Sequence, residues 1–490
     1  MRLAELAART GRPLPEGMPD PVIRGLSSDS RSLHAGYLFA ALPGGQIDGI
    51  EFLEEAVHRG AAAALVPPAA ASRAKALGIT AVADVVPRRR LARMAAAFYG
   101  AQPEMVVAVT GTNGKTSTAH FLAELWRGAG LQAAEIGTLG VSAGSGTDLA
   151  SAALNLTTPD PVTLHAELAS LSEAGFNHAV LEASSHGLDQ HRLDGVRIAT
   201  GILTTVGRDH LDYHGTEHAY RAAKRRLFAE LVTPGGTAIF NLASVDQDTL
   251  AAAERRALNV VTFGRGEEAD WQLKAVTPDV QGQVLQLLTP RGERIVPFGP
   301  LGQFQAENAL AAVVAAVESD VPVDDAVNGL SSMTAPAGRL ERIGTKGGVS
   351  VFVDYAHTPD ALAAALDALR PHVRGVLHVV FGCGGDRDSG KRRLMGEVAA
   401  RHADHVTVTD DNPRSEDPAT IRAEVLQGAP DAAEVGDRFE AIGGVLGSLR
   451  DGDALLVAGK GHETTQTVRG VATPFDDRAV VRRLLGRGGA

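Results

Sequence analysis

Short, wholly apolar runs recur along the chain, each followed by a polar or glycine-bearing stretch and then by a segment of helical spacing. Residues 105–109 form one such run, and residues 117–127 the amphipathic helix beyond it. Continuous apolar runs of this length predict strands covered on both faces, the pattern of parallel sheets. The same reading predicts strands at residues 36–42, 62–66, 179–183, 200–204, 349–353, 376–381, 405–409 and 454–458. Helices are predicted at residues 51–59 and 360–369, with a short amphipathic helix at the N-terminus. Strand–helix alternation of this kind predicts an α/β protein. A length of 490 residues fits about three domains, and the pattern places them at residues 1–98, 99–335 and 336–490.

Composition narrows the class. Hydrophobic content of 44% and charged content of 21% suit a soluble globular chain. Aromatics at 4% leave the cores to Ala, Val and Leu. A formal charge of −11 argues against a general nucleic-acid binder. The single cysteine, Cys383, excludes an internal disulfide framework and fits a reducing compartment. No apolar stretch reaches the ~18 residues of a membrane span. The N-terminus lacks the pattern of a signal peptide, so a cytoplasmic location, without membrane insertion, is expected.

Candidate chemistry sits where strands end. Thr110-Gly111-Thr112-Asn113-Gly114-Lys115-Thr116-Ser117 lies between the 105–109 strand and the 117–127 helix. Two glycines let backbone N–H groups curl around an anion, the helix N-terminus adds its dipole, and Lys115 adds a charge. The Thr116 hydroxyl can ligate Mg²⁺, and the loop is expected to bind ATP or GTP. Glu182 ends an apolar strand, where a carboxylate is costly unless paired or bound to a cation. It is a candidate metal ligand shared with Thr116. Gly207-Arg208-Asp209-His210-Leu211-Asp212-Tyr213-His214 gathers two histidines and acids before a helix that Thr216 can N-cap. Lys224 lies four residues after Tyr220, beside Arg225 and Arg226; neighbouring cations favour a neutral amine, the form that reacts with CO₂. The alternative for Lys224 is a solvated lysine on a basic stripe. Loops 382–392, 410–414 and 459–463 mix arginine with acids, as recognition of a zwitterion requires. Each loop alone is also consistent with ordinary turn chemistry.

These motifs together resemble the Mur ligase family, which builds the peptide stem of bacterial cell-wall precursors, and they match its branch that adds the third amino acid. Further segments carry the resemblance: Ser28-Asp29-Ser30-Arg31, Leu156-Thr157-Thr158-Pro159-Asp160, Ser184-Ser185-His186-Gly187, Asp354-Tyr355-Ala356-His357-Thr358-Pro359 and Asp476-Asp477-Arg478. The implied fold is three α/β domains: a small N-terminal one, a central P-loop-type parallel sheet with helices on both faces, and a C-terminal Rossmann-like sheet. The implied activity is ATP-dependent ligation of meso-diaminopimelate to the D-glutamate γ-carboxylate of UDP-N-acetylmuramoyl-L-Ala-D-Glu through an acyl phosphate. An L-lysine-adding relative and a folylpolyglutamate synthase-like ligase are the alternatives.

Residue by residue, the resemblance implies that Gly111, Thr112, Asn113, Gly114, Lys115, Thr116 and Ser117 hold ATP, with Asn308, Arg339 and Asp354. Thr116, Glu182 and His210 would surround Mg²⁺, and a carbamylated Lys224 would help hold a second. Lys115, Glu182, His210 and Lys224 would thus be the catalytic set. Ser28, Ser30, Thr157, Thr158, Ser184, Gln190 and Arg192 would grip the UDP-sugar peptide. Arg387, Asp411, Asn412, Pro413, Arg414, Gly459 and Glu463 would bind diaminopimelate, with Arg414 pairing bidentately with the distal carboxylate that lysine lacks. A monomer is expected. The chain departs from the family's habit at Thr205 (often Asn), Gly207 (often Ser or Thr) and Arg393 (often Pro).

Overall fold

The computed structural model describes residues 1–44, 47–144, 156–279 and 282–487, so residues 488–490 of the expected third domain lie outside it. The chain divides into two compact units, one of residues 1–262 with 314–321, the other of residues 263–313 with 322–490.

The first unit carries two sheets. Strands β1 (Gly25–Ser27), β2 (Tyr37–Ala40), β3 (Ala63–Val66) and β4 (Thr80–Ala83) pair in sequence order, all parallel. Alternation along β2 and β3 sends Leu38, Ala40, Ala63 and Leu65 to one apolar core, and Phe39, Ala64 and Val66 to another. Helix Pro87–Tyr99 packs Leu91 and Met94 into the first core, and helix Leu53–His58 packs Leu53 and Ala56 into the second. The helix predicted at 51–59 begins earlier, as a 3₁₀ turn at Gly49–Phe52, because the Asp48 carboxylate accepts the Ile50 N–H at 3.0 Å.

The second sheet of this unit comprises β5 (Met105–Thr110), β6 (Ala133–Gly137), β7 (Gly140–Ser142), β8 (His178–Glu182), β9 (Ile198–Leu203) and β10 (Val232–Asn241). Its order is β10-β9-β5-β8-β6-β7, parallel except for the β6–β7 edge. Val106, Val107, Ala108 and Val109 are all fully buried, so both faces of β5 are covered. That is why the run reads as continuous rather than alternating. The carboxyl ends of β5, β8 and β9 lie side by side, the usual place for ligands in such sheets. Strand β11 (Asn259–Gly264) runs to the division between the units.

In the second unit, β12 (Trp271–Pro278), β13 (Gln283–Thr289) and β14 (Gly292–Phe298) form an antiparallel meander. The larger sheet contains β15 (Glu341–Lys346), β16 (Val349–Asp354), β17 (Leu377–Phe381), β18 (His405–Val408), β19 (Ala433–Glu434) and β20 (Ala454–Ala458), ordered β15-β16-β20-β17-β18-β19. Only the β15–β16 pairing is antiparallel. Leu377, Val379 and Phe381 enter one core with Leu362, Leu366 and Met395; Val380, Leu455 and Val457 enter the opposite core with Ile442 and Val481. Helices therefore cover both faces. A hairpin of β21 (Thr465–Val468) and β22 (Val471–Pro474) follows the last parallel strand.

The α/β class and the parallel sheets agree with the sequence pattern. Among the described residues, no helix is long and apolar enough to cross a membrane. Cys383 is buried with its Sγ 3.6 Å from Met395 Sδ, and burial pushes its thiol up to about 12.

Candidate active site

The loop after β5 is held in shape by its neighbour, the segment after β9. Thr112 and Asn113 donate their N–H groups to Thr205 O at 2.7 and 3.4 Å, and the Thr204 hydroxyl donates to Asn113 O at 2.6 Å. Gly111 has φ +155°, and a Cβ there would collide with Thr204 Oγ1, so only glycine fits. Gly114 caps helix Lys115–Gly128 with φ 89°. The ring of N–H groups expected around an anion is therefore narrower than the spacing implies. Two of its amides serve the loop itself, which shifts the cradle toward the start of the helix. Lys115 Nζ donates to Gly111 O at 3.0 Å and to Thr112 O at 2.9 Å.

Glu182 closes β8 with only 3% exposure. Its carboxylate accepts the Thr116 hydroxyl at 3.0 and 3.1 Å, the Thr138 N–H at 2.7 Å and the Thr138 hydroxyl at 3.2 Å. A Cβ on Gly137 would strike this carboxylate. Gly137 and Thr138 are thus site residues that the motif reading missed. Their signal was a Gly-Thr pair where the β6 strand ends.

Lys224 is buried, 3% exposed, on helix Glu217–Arg226, which the Thr216 hydroxyl caps at Ala219 N. Its Nζ donates to Gly111 O at 2.8 Å and lies 4.3 Å from the Tyr220 ring centroid. Burial, then the nearby Lys115 charge, holds the amine well below its ordinary range, against the pull of Asp209. The solvated alternative is excluded, and the expected cause is corrected. Arg225 pairs with Asp248 at 3.0 Å, and Arg226 pairs with Asp194 at 2.6 Å, so neither flanking guanidinium depresses the amine. The Tyr220 hydroxyl meets Thr112 Oγ1 at 2.9 Å, and Thr112 Oγ1 accepts Gly207 N at 2.9 Å. Thr205 and Gly207 serve the loop through their backbones, which explains why the departures there cost no contact.

His210 has φ 52° and sits 3.4 Å from Asp209; its ring lies 4.8 Å from that of His186. It joins a ring cluster with His186, Tyr213, His214 and Tyr220. Burial, with His210 and His214 adding, pushes His186 down to about 4, so the His186 ring is held neutral. Among the described residues, no three His, Cys, Asp or Glu side chains form a group that could hold a metal ion. Thr116 and Glu182 still supply two hard oxygens side by side, which fits Mg²⁺ provided that phosphate and water complete its octahedron.

Four of the expected UDP-sugar residues are brought together. The Thr158 hydroxyl donates to Glu182 O at 2.7 Å, accepts Ser184 N at 2.9 Å and meets Ser184 Oγ at 3.0 Å. Arg192 donates to Thr158 O at 2.7 Å and to Gln190 Oε1 at 2.7 Å. Gln190 continues to the Tyr213 hydroxyl at 3.1 Å. Thr157 Oγ1 accepts from Thr138 at 3.1 Å. Ser28 and Ser30 stand apart at the end of β1, with Ser30 bonded to Glu55 at 2.7 Å.

The second unit has its own polar edge at the carboxyl ends of β16, β17, β18 and β20. Asp354 accepts Leu340 N at 2.6 Å and Ala356 N at 2.8 Å, and the Arg339 guanidinium stacks 4.5 Å from the Tyr355 ring centroid. Asn308 donates to Gln305 at 3.3 Å, and Gln305 donates to Arg339 O at 3.3 Å. Asn412 Nδ2 donates to Glu463 Oε2 at 2.8 Å. Arg414 has φ 54° and donates to Gly385 O at 2.6 Å. Pro413 is buried and Arg387 is exposed. Gly459 has φ +111°, and a Cβ there would lie 2.6 Å from Asp411 Oδ2. All seven residues expected to bind the amino acid therefore lie on adjoining loops of one sheet edge.

Three family models cover most of the chain: the Mur ligase family catalytic domain at residues 22–99, the Mur ligase middle domain at 109–316, and the Mur ligase glutamate ligase domain at 338–461. The chain belongs to the Mur ligase family. Within it, the chain is 47% identical over 466 residues to the Rhizobium meliloti (strain 1021) protein named UDP-N-acetylmuramoyl-L-alanyl-D-glutamate--2,6-diaminopimelate ligase, covering 95% of this chain and 94% of that one. A Caulobacter vibrioides Mur ligase of the same name is 47% identical over 471 residues, with 95% and 96% covered. A solved Mur ligase structure described by that name matches with a TM-score of 0.71 at 33% identity, over 100% of both chains.

Proposed function

We propose that this chain uses ATP to join meso-diaminopimelate to the γ-carboxylate of the D-glutamyl residue in UDP-N-acetylmuramoyl-L-Ala-D-Glu. The observation that carries this reading is the similarity, over 95% of the chain, to a ligase named for that acceptor and that amino acid. The site chemistry supports it. The γ-phosphoryl group of ATP passes to the acceptor carboxylate, giving an acyl phosphate and ADP. The diaminopimelate amine then attacks the acyl carbon, and the tetrahedral intermediate expels inorganic phosphate.

Each step asks for charge neutralisation and alignment rather than covalent help from the protein. Lys115 leaves the loop carbonyls that it caps and turns to the transferred phosphoryl group. Bound Mg²⁺ would supply Lewis-acid charge at the phosphates, and Thr116 and Glu182 would hold it, with His210 beside them. Lys224, neutral through burial, has the lone pair to attack CO₂; the new N–C bond and loss of one proton leave a carbamate that would help hold a second ion. Thr158, Ser184, Gln190 and Arg192 form the proposed grip on the acceptor's peptide, with Ser28 and Ser30 on its nucleotide end. Arg414 and Arg387 would meet the carboxylates of diaminopimelate, and Glu463 with Asp411 its ammonium. A cytoplasmic location and a monomeric state complete the proposal.

The L-lysine alternative turns on Arg414, whose guanidinium would have no distal carboxylate to meet. The test is ADP release with acceptor and amino acid supplied separately and together. Turnover only with both, and with meso-diaminopimelate preferred over L-lysine, is expected. Turnover with neither, or with a folate acceptor, would overturn the reading.

A further inference from the structure

Lys460 follows Gly459 at the end of β20 and is completely buried. A lysine is almost never fully buried unless its charge and its three N–H donors are answered. Here its Nζ reaches Thr465 O at 2.6 Å, Glu463 Oε2 at 3.1 Å and Asn412 Oδ1 at 3.5 Å. Asn412 Oδ1 also accepts the Thr467 N–H at 2.9 Å, which fixes the amide so that its Nδ2 faces Glu463 Oε2 at 2.8 Å. Two donors therefore hold one oxygen of Glu463, while the Glu463 side chain remains 31% exposed and keeps its other oxygen for a ligand. Wholly buried, the Lys460 side chain offers no surface to a ligand from this position. It joins loop 411–414 to loop 459–463 from beneath.

We propose that Lys460 is a positioning residue for amino-acid selection: together with Asn412 it holds Glu463 as a preformed receptor for the ammonium-bearing end of the diamino acid. The inference rests on the functional reading above but concerns a residue that makes no contact with substrate. A neutral, apolar replacement leaves three acceptors short of a donor in a buried place and frees Glu463 to turn. The lysine also constrains specificity. Because its own charge already faces one Glu463 oxygen, an incoming ammonium is admitted only along the other, which fixes the amine's direction of approach.

Steady-state kinetics on the full-length enzyme test this. Lys460→Met is expected to raise the KM for meso-diaminopimelate by at least about tenfold, equivalent to about 1.4 kcal/mol, with the KM values for ATP and the UDP-sugar peptide within about twofold of the parent. Lys460→Gln, which keeps N–H donors at nearly the same reach, should fall between and covers the case in which the Met variant does not fold. In a cycle with Glu463→Gln the two effects should be non-additive, because one acts through the other. An unchanged KM for the amino acid, an equal rise in all three KM values, or additive effects would overturn the inference. Parent enzyme without diaminopimelate-dependent ADP release would instead sink the functional reading.

Discussion

Replacing Asp477 with asparagine keeps the shape of one side chain but removes the charge from a pair in which both partners are 0% exposed. Arg438 Nε and Nη2 each meet an Asp477 oxygen at 2.7 Å, and the same guanidinium donates to Ala458 O at 2.9 Å and Asp410 O at 3.4 Å. Burial works against the Arg438 charge, and Asp477 outweighs it, so the guanidinium is held even more firmly protonated than usual. Removing one partner from such a pair costs about 3–5 kcal/mol, because the other charge stays buried and unanswered. An asparagine oxygen retains one bond, which places the expected cost at about 3 kcal/mol. Replacing both, as Arg438→Met with Asp477→Leu, removes the stranded charge and should cost less than the single change. It still takes the guanidinium donor from the Ala458 and Asp410 carbonyls, so part of the cost remains. Hydrogen exchange at β18 and β20 is the assay of choice, since a chain of several domains has no single unfolding free energy. The two carbonyls directly precede loops 411–414 and 459–463, so weaker amino-acid binding should accompany the lost protection. Parent-level protection in Asp477→Asn, or a double variant as costly as the two single changes summed, would refute this reasoning.

Lys224→Ala should lose nearly all ligation and regain part of it with a small added carboxylate; a fully active variant would remove the carbamate from the mechanism. Arg414→Ala should weaken use of diaminopimelate by about 2–5 kcal/mol if the partner carboxylate is left buried, and unchanged discrimination against L-lysine would place selectivity elsewhere. Acid should destabilise the first unit through His165, which burial pushes down to about 4 from 6.5. Between those pH values the unfolded chain binds a proton that the folded one does not, so stability rises with pH across the window and is lost on acidification. This contribution is about 3 kcal/mol, and His165→Gln should flatten part of the pH dependence measured from pH 6.5 to 4. An identical profile for the variant would show that the acid-sensitive group lies elsewhere.

The sheets were legible because both faces of their strands are buried. Continuous runs such as residues 105–109 and 454–458 carry that signal directly, and the loops at their carboxyl ends followed. The strand–loop–helix shape around Gly111–Lys115 and the place of Glu182 beside it were legible from order alone: strand, glycine turn, Lys-Thr, helix, and a carboxylate at a neighbouring strand end. What stayed hidden depends on direction rather than order. Arg225 and Arg226 adjoin Lys224 in sequence, yet helical spacing turns them to Asp248 and Asp194, while Lys115, far away in the chain, supplies the repulsion. Gly137 and Thr138 answer Glu182 from the end of a strand whose position beside β8 the sequence does not state. Lys460 entered the sequence reading only as one member of loop 459–463, and Arg438 did not enter it, since a full charge in a core becomes visible only when distant acceptors such as Asn412 and Asp477 are placed around it.

In the proposed reaction the acceptor carboxylate becomes an acyl phosphate before the amine arrives. Placing oxygen-18 in the γ-carboxyl group of the UDP-N-acetylmuramoyl-L-Ala-D-Glu acceptor and running single turnovers with ATP and meso-diaminopimelate tests it most directly. One labelled oxygen is expected in each inorganic phosphate released, read by mass or by phosphorus-31 NMR. Phosphate carrying no label would contradict it.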